Sequence, residues 1–243
     1  MAKRVCEAHS HHGRGTSMPH TLDMVCLANS WKHGGRCIAG KIYGGDRSGE
    51  WIRPVSPTVG KRQITFAQMN YGQNQFAQIL DIIRIEFTVR EPDTFQHENL
   101  IVSGTGWIKL GRLDQRNIHQ WIDAPNALWS NGDSSEYGEN DKISGHRIAL
   151  DQPSSLVMVQ PDNGNLNVSV AKERDDKIKI RLNFHYNGVK YALTTTDLWA
   201  QDHFRGRGIG DYEMQNIQAM TISLGEPFAN GNTTKIVAEI FRG

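Results

Sequence analysis

The segment KIKIRLNFHYNGVKYAL, Lys177 to Leu193, constrains the fold most, because Asn187-Gly188 is a preferred two-residue hairpin turn and both flanks alternate apolar and polar side chains. Pairing Tyr186 with Val189 sets Phe184 opposite Tyr191 and Leu182 opposite Leu193, gathering the apolar set on one face. Lys177, Lys179, Arg181 and His185 then share the other face with Lys190. That row fits a surface tracking a phosphodiester backbone, and it fits edge protection by lysine. Glu173, Asp175 and Asp176 just upstream favour the second reading by neutralising the row.

The same period recurs elsewhere. Leu22 to Ala28, Arg36 to Tyr43 and Glu50 to Val55 form a meander, and Ile83, Ile85, Phe87 and Val89 alternate with charged or hydroxyl residues. Trp107 to Leu110 adds a strand, residues 62 to 70 lean helical, and Leu113, Ile118, Trp121 and Ile122 suit one short helix. Ser130 to Lys142, SNGDSSEYGENDK, is polar and acidic and buries little, so the domain boundary is expected there. Beyond it strands are expected at Leu156 to Val159, Leu166 to Val170, Lys177 to His185, Val189 to Thr195, Met220 to Leu224 and Lys235 to Phe241. Short strands at this spacing, with few helix signals, predict an all-β chain of small closed or nearly closed barrels. The expected divisions are a disordered His-rich arm over 1–20, a first barrel over 21–130 and a second over 143–243.

Partners are limited by charge. A formal balance of +1 excludes a polycationic coat protein, so a nucleic-acid site must be a local patch. Such a patch is visible in CLANSWKHGGRCIAGKIYGGDRSGEWIRPVSP, Cys26 to Pro57, where Trp31, Lys32, His33, Arg36, Trp51 and Arg53 sit between apolar runs. Cationic forks hold phosphates and flat rings stack on bases. Gly34-Gly35 beside Lys32 and Arg36 would let backbone amides approach a phosphate, although the spacing is not that of a P-loop. Arg53, extended before Pro54, suits a bidentate phosphate contact or an ion pair with Glu50 or Asp46. The same residues also fit an ordinary loop with half-buried tryptophans and solvated charge. On the binding reading, Arg36→Ala with Arg53→Ala weakens binding and leaves the melting temperature nearly unchanged.

Arg205-Gly206-Arg207-Gly208 forms a second candidate contact, following a helix expected from Asp197 to Phe204, with Asp197 as its cap. The alternative is a helix C-cap leading into a loop. No nucleophile elbow, HExxH or paired Cys–His spacing is present, so no catalytic residues and no cofactor are assigned. Cys6, His9, His11 and His12 match no closed zinc site, so no metal is assigned either. Three cysteines without CxxC spacing point to a reducing, cytoplasmic setting, and no apolar run reaches membrane-spanning length.

ANSWKHGGRCIAGK followed by GEWIRPVS, with LDIIRIEF, FQHENLIV, ISLGEPF and KIVAEIF, resembles the bacterial dual-OB-containing domain family from about Leu22 onward. That resemblance implies two OB-like barrels in tandem and nucleic-acid recognition, single-stranded preferred, in a defence or nucleic-acid-processing system. Its matching positions are Lys32, Gly34, Gly35, Arg36, Cys37, Trp51, Arg53, Pro54, Gly225 and Lys235. The His-rich arm departs from the pattern, for which a start near Met24 is typical. Residues expected to contact nucleic acid are therefore Trp31, Lys32, Gly35, Arg36, Trp51, Arg53, Arg205 and Arg207. Two other classes stay open: a sensor or enzyme for a nucleotide or other phosphorylated ligand, and a scaffold that binds a protein partner through a sheet edge.

Overall fold

The computed structural model describes residues 20–243 apart from 33, 59–61, 91–95, 152–153 and 175, so the expected arm lies outside it except for His20. The first half supplies β1 (His20–Lys32), β2 (Gly35–Ile42), β3 (Trp51–Val55), β4 (Asp81–Arg90), β5 (Asn99–Val102) and β6 (Ile108–Arg112). They form a six-stranded sheet in the order β1-β2-β3-β5-β4-β6, and β4 also pairs with β1, which closes five of them into a barrel. β3 and β5 run parallel. Met24 and Cys26 of β1 face this barrel's core, while Val25 and Leu27 face a second cluster with Met158, Ala219 and Phe241 of the other half. A strand covered on both faces loses its polar alternation, and for that reason Met24 to Ser30 are all buried.

The second half begins with β7 (Lys142–Ile143), α1 (Gly145–Asp151) and β8 (Leu156–Val159). Then come β9 (Leu166–Lys172), β10 (Ile178–Tyr186), β11 (Val189–Thr195), α2 (Leu198–Arg207), β12 (Gly210–Met214), β13 (Ile217–Leu224) and β14 (Thr233–Arg242). The main sheet runs β12-β9-β10-β11-β14-β13-β8. β9-β10-β11-β14-β13 repeats the first barrel's order, again with a parallel pair, here β11 and β14. β12 pairs with β9 and β13 pairs with β14, yet only Gln215 and Asn216 separate β12 from β13. The bent segment β12–β13 thus links the two ends of that five-strand run, β12 lying against β9 and β13 against β14. Ala200 and Phe204 of α2 pack into its core.

The β10–β11 hairpin takes the register expected of it, with Tyr186 opposite Val189 and Phe184 opposite Tyr191, whose rings stack at 5.6 Å between centroids. Residues 62–70 are not helical. Ile64 bridges to Arg36 and Asn70 to Phe76, so both ends are held by extended pairings and only a turn at Thr65 remains between them. The expected helix near Leu113 is a 3-10 turn, Gln115–Trp121, capped by Asp114, which accepts from the Arg116 amide. β5 and β12, four and five residues long, are strands that the sequence analysis did not anticipate. Segment 130–142 is pinned to the second barrel: Glu139 bridges to Ala192, and buried Lys235 donates from Nζ to the Ser130 carbonyl at 2.6 Å. Burial lowers the Lys235 ammonium to about 8.

Candidate nucleic-acid interface

Between β1 and β2, Gly34 has φ +78°, a left-handed conformation that favours glycine. The last pairs before the turn are Trp31 with Arg36 and Lys32 with Gly35. Gly35 is packed, not open: a Cβ there would lie 2.4 Å from the Ile64 carbonyl oxygen, so its backbone serves strand contact and offers no phosphate cradle. The Arg36 guanidinium sits 5.4 Å from the Trp31 ring centroid and 5.2 Å from that of Phe66. Partial burial lowers its pKa. Arg36 therefore braces an indole that remains 57% exposed, with Phe66 exposed beyond it.

The expected set divides at this point. Trp51 is half-buried, donates from Nε1 to Asp123 at 2.9 Å and lies under the Lys41 ammonium at 5.0 Å. Asp123 also accepts from Lys41 and from the Met158 amide, so Trp51 belongs to the joint between barrels. Arg53 is buried and pairs with Glu98 at 3.3 Å, not with Glu50 or Asp46. Its Nη2 also donates to Ser155 and Ser223 of the second half. Neither residue presents a surface for a phosphate. Lys32 pairs with Glu226 at 2.5 Å. Arg207 packs over Tyr212 at 4.9 Å.

Trp31 and Arg205 come together, 174 positions apart in the chain (205 minus 31), across a cleft of about 1020 Å3. Its walls include Trp31 from the first barrel, Lys177 just before β10, Lys179 of β10, Thr194 and Thr195 of β11, and Thr196 just after it. Leu198, Gln201, Asp202 and Arg205 complete it from one face of α2, at the i, i+3, i+4, i+7 spacing of a helix. Among the described residues, Lys177, Lys179, Arg205 and Asp202 line it beside an exposed indole. Further along β10, Arg181 is held by Glu173 at 2.7 Å and Asp141 at 3.4 Å, and Lys190 of β11 pairs with Glu139. Sequence reasoning weighed Lys177 and Lys179 as edge protection and missed the Thr and Gln positions, because nothing local signals that β10 and α2 would share a wall.

The base of this wall holds a carboxyl pair. Asp197 caps α2 by accepting from the Ala200 amide at 2.6 Å and accepts from the Ile240 amide at 3.0 Å. Desolvation, then the Asp197 charge and its hydrogen bond, push the Glu239 carboxyl well above the usual carboxylate range. A carboxyl raised in the fold holds its proton more tightly there than in the unfolded chain. Its favourable contribution is full below the unfolded value of about 4.3 and is lost as pH rises through the folded value. Glu239→Gln keeps a donor to Asp197 without the charge. It should raise the melting temperature at pH 7.5 and by much less at pH 5; equal gains at both would show that Glu239 carries no such shift.

Among the described residues no group of three or more His, Cys, Asp or Glu is arranged to hold a metal ion, and no helix is long and apolar enough to cross a membrane. The Cys26 thiol is fully buried and burial drives its pKa far up, which leaves it unreactive. The model of one family, described as dual OB-containing domain, matches residues 22–240. No curated protein matches the chain.

Proposed function

The chain belongs to the dual OB-containing domain family, and from that membership we propose that it binds single-stranded nucleic acid along the cleft between Trp31 and α2. The carrying observation is the braced, 57% exposed Trp31 indole on a wall shared with Lys177, Lys179 and Arg205. Cations release counterions from the backbone while the indole stacks on a base, a contact worth about 1 to 3 kcal/mol. A single strand fits this arrangement because its bases are free to reach a ring.

Fluorescence anisotropy with labelled single-stranded DNA, single-stranded RNA and duplex DNA tests the reading. With three cations engaged, single-strand affinity should fall about 20-fold between 50 and 200 mM salt. Lys177→Ser, Lys179→Ser and Arg205→Ser together should flatten that dependence and leave the melting temperature near that of the unaltered chain. Trp31→Ala should weaken binding about 5- to 150-fold at fixed salt. Flat titrations with both single strands would overturn the proposal.

A further inference from the structure

Behind Trp31 lies a second, smaller cavity of about 210 Å3, set between the two barrels. Trp31, Thr196 and Ile236 line both it and the cleft, so the two spaces share a wall at the exposed indole. Its lining is two-sided. Ala28, Ala39, Ala238 and Leu156 supply an apolar surface, while Ser30, Gln96 and Arg53 supply polar edges. Arg53 commits Nη2 to its three acceptors, whereas its buried Nε has no partner. A desolvated donor left without an acceptor costs about 1 to 3 kcal/mol, and the Arg53 side chain lines this cavity. The space is below the roughly 300 to 1,000 Å3 of sites for drug-sized molecules and suits one flat heterocycle.

We propose that this cavity receives a single unstacked nucleobase, its faces against the alanines and its ring or carbonyl acceptors toward Arg53 and Gln96. The inference rests on the cleft as the path of a nucleic-acid strand, with Trp31 as the divide between the base that stacks outside and the base that enters. The same heterocycle has two sources, a base within a strand and a free nucleoside, and the test separates them.

An oligonucleotide carrying one 2-aminopurine is titrated with the chain while anisotropy and fluorescence are both recorded. A base drawn out of its stack loses quenching, so fluorescence should rise about twofold or more as the complex forms. Ala238→Leu fills the cavity and should remove the rise while salt-dependent anisotropy persists. Binding without a rise, or a rise undiminished in Ala238→Leu, overturns the base pocket and leaves the cleft reading standing. If oligonucleotides fail to bind but 2-aminopurine riboside shifts the melting temperature, and Ala238→Leu abolishes that shift, the pocket holds and the strand reading falls. No response to either ligand overturns both. Should Ala238→Leu misfold, Cys37 reports from the unaltered chain, since it lines the same cavity. Its modification by methyl methanethiosulfonate, followed by peptide mass, should slow when ligand is bound, and an unchanged rate overturns the pocket.

Discussion

Arg53→Ala should lower stability by about 3 to 5 kcal/mol, because it leaves the Glu98 carboxylate buried without its cation. The two side chains are only 11% and 4% exposed. Arg53 and Glu98 come from the first barrel, and Ser155 and Ser223, which accept from Arg53, come from the second. Ser155 also donates from its hydroxyl to Glu98. The pair therefore latches the barrels together, and its loss is felt by the whole chain. At about 2 to 4 °C per kcal/mol for a chain of this size, the melting temperature should drop by about 6 to 20 °C. This reverses the expectation, formed while Arg53 was read as a surface fork, that its removal leaves melting unchanged. Arg53→Met with Glu98→Leu should recover most of the loss, since a buried ion pair is often replaceable by apolar groups of similar volume. Thermal unfolding of the single and double variants decides the matter. A single variant that melts with the unaltered chain would show that the latch carries no weight.

Gly40→Ala should be at least as damaging, at about 3 kcal/mol or more. A Cβ on Gly40 would lie 1.9 Å from the Val25 carbonyl oxygen and 2.7 Å from Met24 Cγ. The first of these is backbone, which no rotamer change relieves. Gly40 pairs with Cys26 beside the irregularity in β1 between Cys26 and Ala28. β1 is bound on its two edges by β2 and β4, so pushing it outward opens the ladder that closes the first barrel. Gly106→Ala is the matched control, since an added Cβ there meets nothing within 4 Å. Denaturant midpoints should separate the two widely. Equal midpoints would mean that β1 moves at no cost and that the close approach is not a constraint.

Much of the fold was readable locally. Alternation in β4, β10 and β11 and the Asn187-Gly188 turn set strand identity and the hairpin register, because side-chain period and turn conformation involve neighbours in the chain. Asp197 as the cap of α2 was legible for the same reason. Residues 62–70 were misread since propensity yields to pairing partners supplied from elsewhere, here Arg36 and Phe76.

The cleft and its neighbours obey the other kind of rule. Trp31, Arg36, Trp51 and Arg53 look equivalent in the sequence, yet one is exposed, one braces it, and two are built into the joint between barrels. Likewise Lys179 lines the cleft whereas Arg181, two residues further along β10, is closed by Glu173 and Asp141. Type and spacing of residues determined the strands, the hairpin and the supply of cations and rings. Which of those cations and rings reach solvent was decided by barrel closure and by the packing of one barrel on the other, since burial depends on partners far away in the chain.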